Sequence, residues 1–476
     1  MTVAKFGGSA LGADGVLIPK IMERIKQMAQ ESKVVAVFSA PLTEYEGKVS
    51  SMTDVAIKVG RNYASSNPVD IEVLRDVYER IATQYLDEEA KKEFLVQLDK
   101  FYRQVIIALK VAAENRRFVD VIRSRSLAYS GEVTMSYLMA YVMRAHGIRA
   151  ANVPIEHWPI ITDDNFEAAN FMPSESRQAA GRLIELIEEN DVVSMGGFIG
   201  KTIDGLETTY ERGGSDRTAA DVAIILNDRY DTKISFEKDS AVLSADPKIV
   251  KEGLDFVPYL SYNEARIAGM FGMKILDPIA IKEIDDNGLD IPIVITDMAR
   301  PSSSVTVIKR SPPAAADGSN AIKIVTGKKN CAIVRMESMS ASHLIANLER
   351  DKQYHDFVKL SPYVKDDVEM TRLLFLDADY VRRHERHFRA YYPKVEIVYN
   401  RAVVTLIGDE MWRVPKIAST ASSTVSEHDI NILNLDAQEE TSRILIVLED
   451  RGASVAEAVK AIHATRNRIG MVAATK

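Results

Sequence analysis

Short apolar runs alternate with longer segments of helical period over roughly the first 300 residues, and that alternation restricts the possible fold more than any other feature. Val3–Phe6, Val34–Phe38, Val192–Met195 and Ile291–Ile295 are short and apolar at consecutive positions, so they read as buried strands. Amphipathic helical patterns separate them, which makes this part of the chain α/β. From about Asp70 to Arg123 the sequence is charged, helical in period and free of Gly and Pro, so helix is expected there. Pro301-Ser302-Ser303-Ser304 and the Pro/Ala/Gly-rich stretch from Ser311 to Asn320 then break the pattern with the composition of a linker.

Beyond Ala321 the rhythm changes. Ala332–Met336, a helix, a strand near Phe357–Leu360, Arg372–Leu376, a helix through Tyr380–Tyr391 and Val395–Tyr399 make one unit. Ala402–Ile407, Val414–Glu427, Ile430–Leu435, Ile444–Leu448 and Val455–Thr465 repeat it, giving two βαββαβ units in tandem. The expected organisation is a catalytic domain over 1–300, a linker over 301–320 and a regulatory tail over 321–476, since no catalytic constellation appears in the tail.

Composition narrows the function classes. A net charge of −8 provides no basic face for a phosphate backbone, which argues against a nucleic-acid partner. Cys331 is the single cysteine, so no intrachain disulfide can form and a reducing compartment is favoured. No apolar run approaches the ~18 residues of a membrane span, and the N-terminus has no apolar signal core. The expectation is a cytoplasmic multidomain protein with no membrane partner.

Chemistry concentrates at three junctions of strand, glycine turn and helix. In Ala4-Lys5-Phe6-Gly7-Gly8-Ser9-Ala10-Leu11 the paired glycines let backbone N–H groups approach a phosphate, and Lys5 puts a point charge beside it. A plain tight turn with a surface lysine fits those residues equally well. The stretch Val193 to Thr202 imitates a Walker A loop, but the required spacing puts Met195 where the first glycine belongs, so it reads as a glycine-rich turn lining a pocket. In Thr208 to Asp221, Ser215 or Asp216 caps a helix with apolar face Ala219, Val222, Ala223 and Leu226, and Arg212 could clamp a carboxylate with its fork. A capped helix with a surface arginine is the alternative.

Taken in order, these motifs resemble those of one family. Lys5-Phe6-Gly7-Gly8-Ser9, Ser130-Gly131-Glu132, Gly196-Gly197-Phe198-Ile199-Gly200, and Thr208-Thr209 followed by Arg212-Gly213-Gly214-Ser215-Asp216 are similar to motifs of the aspartate kinases, in the amino acid kinase superfamily. Ala245-Asp246-Pro247-Lys248, Phe271-Gly272-Met273-Lys274 and Asn431-Ile432 add to the resemblance, which covers essentially the whole chain. It implies a three-layer αβα amino acid kinase fold followed by two α+β ferredoxin-like (ACT) domains. It also implies transfer of phosphate from ATP, with Mg²⁺, to the side-chain carboxylate of L-aspartate, at the head of the pathway to lysine, threonine and methionine.

Residue roles follow from the same resemblance. Lys5 and Asp216 are the implied catalytic residues, and Gly7, Gly8, Ser9, Gly213 and Gly214 cradle phosphates. Glu132 pairs with the α-ammonium of the substrate and Arg212 with its α-carboxylate, while Thr53, Phe198 and Ser215 line the same pocket. Glu237 and Lys238 stand where the family has a Thr-Asp pair beside the nucleotide, and Lys248 and Lys274 complete the nucleotide contacts. A carboxylate of pKa near ~3.9 is already ionised at neutral pH, so no general base is required. Mg²⁺ arrives with ATP and keeps its waters, so no metal cage is expected. The tail is expected to form a homodimer or higher homo-oligomer and to hold any amino-acid effector (lysine, threonine or none) at an ACT interface. Glu132 and Arg212 fit any α-amino acid, so two alternatives remain. One is a kinase of a hydroxyl amino acid such as homoserine, with Asp216 as general base; the other is a weakly catalytic amino-acid sensor.

Three features carry no chemistry in this reading. His384-Glu385-Arg386-His387 has its second histidine one residue too early for H-E-x-x-H and reads as a solvated helical face. Met135, Met139 and Met143 recur at helical spacing as core packing. Trp158 and Trp412 read as structural anchors.

Overall fold

The computed structural model describes residues 1–211, 213–273, 275–298, 300–301, 303–311, 320–350, 357–438 and 441–469. These form two compact units, Met1–Ala241 with Ile279–Lys309, and Val242–Pro278 with Arg310–Lys476. The Ala245–Lys248 and Phe271–Met273 motifs therefore group with the tail.

In the first unit, Ile293–Asp297, Lys233–Lys238, Thr2–Phe6, Val34–Phe38, Val192–Gly196 and Ala150–Asn152 lie side by side in that order and run parallel. Val34–Phe38 and Val192–Gly196 are buried at every position, as strands covered by helices on both faces must be. Val305–Lys309, within the expected linker, is instead a strand antiparallel to Ile293–Asp297. Its alternation of buried Thr306 and Ile308 with more exposed neighbours is that of a strand with one covered face. Phe6, Phe38, Gly196 and Glu237 are in register at the carboxyl ends of four adjacent strands. Two glycine clusters, Gly7-Gly8 and Gly196-Gly197, leave from these ends, the position where open α/β sheets bind ligands.

The long helical stretch is realised as Val73–Tyr85, Glu88–Asn115 and Asp120–Ser130. Asp87 starts the longest of these by accepting from the amide of Ala90. Gly131 then breaks the path, and Glu132–Ala145 begins a new helix. Met135, Met139 and Met143 are fully buried in it, as expected of core residues.

In the second unit, Phe357–Lys365, Val368–Phe375, Ile324–Glu337, Glu396–Ile407, Arg443–Glu449 and Asn434–Ala437 form one antiparallel sheet in that order. Its two α+β halves are interleaved, which differs from two units in tandem. Ile324–Lys328 pairs with Val403–Ile407, whereas Ile333–Arg335, later in the same strand, pairs with Glu396–Val398. Register shifts between Lys328 and Ile333 separate the two pairings. Ile322 and Val325 consequently pack with Val404, Ile417, Ile446 and Val459, while Val334 and Met336 pack with Leu373, Phe388 and Val395. One core thus draws strands from both sides of the other in sequence. Ala245 and Val250 join the first of these cores, and Ser244 Oγ lies 2.8 Å from His463 Nε2.

The helix expected through Tyr380–Tyr391 is two, Ala378–Arg383 and Glu385–Tyr391, with the break at His384. Trp158 is a buried anchor whose indole donates to the carbonyl of Ile199 at 2.9 Å. Trp412 is not, being half exposed. Among the described residues no helix is long and apolar enough to cross a membrane.

Candidate active site

The opening strand delivers Lys5 to the carboxyl end of the sheet, and Gly214–Leu226 delivers Asp216 to the same place. Their side chains meet, with Nζ 2.7 Å from Oδ1, although 211 residues separate them in sequence (216 minus 5). Both are largely buried, so the pair is held in a low-dielectric setting while keeping an open side. Gly7 stands next to Lys5: a methyl at Gly7 would lie 3.3 Å from Nζ. The helix after this glycine pair spans only Gly8–Leu11, so its dipole is that of one turn. Ser9 is exposed and Gly8 packs toward the Ala40 carbonyl.

Ser215 and Asp216 are not helix caps. Gly213 is the N-cap, in the left-handed region at φ 96°, and Ser215 and Asp216 lie inside the first turn. A residue with a Cβ would be strained at Gly213. Gly214 is required for a second reason, because a methyl there would come 2.3 Å from Tyr210 Cβ. The helix is buried at every position from Gly214 to Leu226, so its environment is wholly interior, beyond the single apolar stripe read from the sequence.

The Gly196–Gly197 turn joins two other helices to this site. A methyl at Gly196 would sit 2.7 Å from the Glu132 carbonyl oxygen, and one at Gly197 would sit 2.6 Å from Ser215 Cβ. Both glycines thus permit backbone approach that any side chain would block. Phe198 follows at φ 66°, its amide donating to Thr218 Oγ1 at 2.9 Å.

Glu132 opens its helix and is 3% exposed. Burial pushes its carboxyl up to about 7, opposed by the amides of Glu132 and Ala40, the Thr53 hydroxyl and the Lys5 charge. Thr53 Oγ1 lies 3.5 Å from Oε1, while Oε2 meets no hydrogen-bond donor among the described residues. A buried carboxylate with a bare oxygen is suited to a cation brought by a ligand. Tyr78, which sequence reasoning missed, fixes this corner: its buried hydroxyl is 2.8 Å from the Ser130 carbonyl oxygen and 2.9 Å from that of Gly131.

Strand alternation separates Glu237 from Lys238. Lys238 faces the Lys5–Asp216 pair: burial lowers its pKa below the ordinary lysine value, Asp216 opposes that and Lys5 adds to it. Glu237 faces the other way, into a two-pronged pair with Arg24 at 2.9 and 3.2 Å, and it accepts from Ser235 at 2.7 Å. That engagement gives both Glu237 oxygens partners of its own. Lys248 is exposed in the second unit, its amide donating to Asp246. Arg212 and Lys274 lie outside the described residues.

The first unit thus gathers Lys5, Asp216 and Lys238 beside glycine turns, with Glu132, Thr53, Phe198 and Ser215 on neighbouring elements. Two cations, a carboxylate and a turn without side chains can hold a polyphosphate; the bare oxygen of Glu132 can hold an ammonium.

The chain is 24% identical over 501 residues to a chloroplastic bifunctional aspartokinase/homoserine dehydrogenase 2 of Arabidopsis thaliana, covering 98% of this chain and 50% of that protein. It thus spans about half the length of that relative. It is 24% identical over 360 residues to an aspartokinase of Helicobacter pylori, covering 74% of this chain and 84% of that one. Its fold is similar to the crystal structure of E. coli aspartokinase III in complex with aspartate and ADP, with a TM-score of 0.77 at 16% identity over 98% of this chain and 99% of that one. Residues 1–297 match the model of the amino acid kinase family, and the chain belongs to that family.

Proposed function

We propose that this protein transfers the γ-phosphoryl group of ATP to the side-chain carboxylate of L-aspartate, giving ADP and 4-phospho-L-aspartate. The observation that carries the reading is the buried Glu132, with one oxygen bare, in electrostatic contact with the Lys5 of the glycine turn. Glu132 binds the substrate α-ammonium and Arg212 its α-carboxylate. Lys5 and Lys238 hold the phosphates together with the amides of Gly7, Gly8, Gly213 and Gly214, and Asp216 fixes Lys5. Mg²⁺ arrives on the triphosphate, and the same turns accommodate it.

An oxygen of the β-carboxylate attacks the γ-phosphorus, and the bond to the bridging oxygen breaks toward ADP. No proton moves, because the acceptor is already ionised. The protein contributes alignment and charge: negative charge grows on the leaving phosphate, where Lys5 neutralises it. Asp216 is already engaged by Lys5 at 2.7 Å, which favours a carboxylate acceptor over a hydroxyl that would need Asp216 as base. The relatives named above, and the aspartate and ADP in the E. coli structure, support the same choice.

The second unit is read as a regulatory and dimer-forming part of a cytoplasmic enzyme. It contains a cavity of about 410 Å³ lined by Asp409, Trp412, Lys416, Gln438 and Arg443, whose opposite charges suit an amino acid. The sheet ends in the edge strands Phe357–Lys365 and Asn434–Ala437, with Val364 and Leu435 exposed, which supports pairing with a second copy. A screen of ADP release over the free amino acids tests the catalytic reading. It requires aspartate to be the preferred acceptor; preference for homoserine, or no turnover with any amino acid, rejects it.

A further inference from the structure

Behind the Gly213–Asp216 turn lies a buried cluster that neither nucleotide nor amino acid needs to touch. Arg217 Nη2 is 2.7 Å from Glu283 Oε1, and the guanidinium lies 4.1 Å from the centre of the Tyr210 ring. The Tyr210 hydroxyl donates to Asp221 Oδ2. Tyr210, Arg217 and Asp221 are at most 4% exposed. Asp221 Oδ1 and Glu283 Oε2 are both buried and meet no hydrogen-bond donor among the described residues, and burial, then the neighbouring Glu283 charge, raises the pKa of Asp221 well above the usual carboxylate value.

Such a cluster is a poor choice for stability alone, because apolar side chains of similar volume would serve as well or better. Its geometry explains what it adds. Tyr210 packs so closely on Gly214 that a methyl there would come 2.3 Å from Tyr210 Cβ, and its amide donates to the Phe198 carbonyl at 3.0 Å. Arg217 adjoins Asp216 in the chain. The turn is therefore gripped on one side by the Tyr210 ring and on the other by the Arg217 ion pair with Glu283. We propose that Arg217, stacked on Tyr210, paired with Glu283 and backed by Asp221, is the positioning residue that holds the glycine turn and Asp216 in register with Lys5.

This inference rests on the phosphoryl-transfer reading, and binding of MgATP separates the two. Calorimetry of MgATP and steady-state kinetics with aspartate are to be measured on the full chain, as wild type and as Arg217→Gln, Tyr210→Phe, Asp221→Asn and Asp221→Leu. Arg217→Gln should weaken MgATP at least tenfold and lower kcat at least tenfold, with KM for aspartate within twofold. Tyr210→Phe should give a smaller loss in the same two quantities. Asp221→Asn, which keeps an acceptor for the Tyr210 hydroxyl, should hold both within threefold of wild type where Asp221→Leu does not. A cluster that serves stability only would lower melting temperatures and leave the kcat and affinity of the folded variants unchanged, which would overturn the proposal. An equal rise in KM for aspartate would overturn it too. If wild type binds MgATP but does not phosphorylate aspartate, the substrate reading fails while the affinities still decide this one. If wild type does not bind MgATP, both fall.

Discussion

Replacing Glu132 by Gln should make the protein more stable and much less active, and both effects have the same origin. Moving a carboxyl from 4.5 to about 7 corresponds to about 3 kcal/mol against its ionised form, at about 1.4 kcal/mol per pH unit. Between pH 4.5 and about 7 the folded protein keeps a proton that the unfolded chain releases. Stability therefore falls as pH rises through that window, and the loss persists above it. Glu132→Gln removes the ionisable group, so its gain over wild type should be near zero at pH 4.5 and approach ~3 kcal/mol at pH 8. Function runs the other way, because the α-ammonium needs the carboxylate. For wild type, kcat/KM for aspartate should rise about tenfold per pH unit below pH ~7 and level off above it. The bound ammonium keeps Glu132 ionised, so kcat should vary much less. Loss of a charged hydrogen bond, worth roughly 1.5–3 kcal/mol, should lower kcat/KM in Glu132→Gln by about 10- to 100-fold at pH 8. Denaturant titrations at pH 5 and 8 and kinetics across pH 5.5–8.5 measure both. A flat kcat/KM profile, or a Gln variant that gains nothing between pH 5 and 8, would refute the reasoning.

Lys5→Ala should lower kcat by about 10²- to 10³-fold with little change in KM for aspartate, because the ammonium matters most as charge reaches the leaving phosphate; near-normal turnover in a folded variant removes it from the mechanism. Gly214→Ala forces a contact of 2.3 Å with Tyr210 Cβ, so it should weaken MgATP binding by at least tenfold in calorimetry. Tyr78→Phe deprives the Ser130 and Gly131 carbonyls of a shared buried donor, which should lower stability by about 1–3 kcal/mol and raise KM for aspartate. In that variant, an unchanged KM would show that Tyr78 does not position Glu132.

The strands and two of the three glycine junctions were legible because each is local: apolar runs of strand length, and glycines where chain direction changes; the turn at Gly196-Gly197 leads instead into the strand Ile199–Lys201. Val34–Phe38 matches the expected bounds, and Ile291–Ile295 slipped by two residues to Ile293–Asp297, which starts just after Pro292, a residue with no N–H for a ladder. The meeting of Lys5 with Asp216 could be expected only through the motif order, since it depends on a sheet that brings both to one edge. The separate fates of Glu237 and Lys238 were readable in principle, because adjacent strand residues face opposite layers. What hid the Arg24 pairing was its span of 213 residues. The interleaved tail was not readable: Ile324–Glu337 is one strand that serves two cores, and a repeat pattern cannot say which half of a long strand pairs with which partner. The same interleaving changes how the tail can be tested. Cutting at Ala321 would strip the apolar cover from Ala245 and Val250, so oligomeric state and effector response belong to the full chain, by light scattering and calorimetry.

Hydroxylamine trapping tests the central claim most directly. Incubation of the full chain with MgATP, L-aspartate and hydroxylamine should yield aspartyl hydroxamate in step with ADP, because an acyl phosphate is captured and a phosphate ester is not. Wild type should do this at neutral pH, and Lys5→Ala should not do so above background. ADP formed without hydroxamate, or formed only with a hydroxyl amino acid such as homoserine, would contradict the assignment of a carboxylate acceptor.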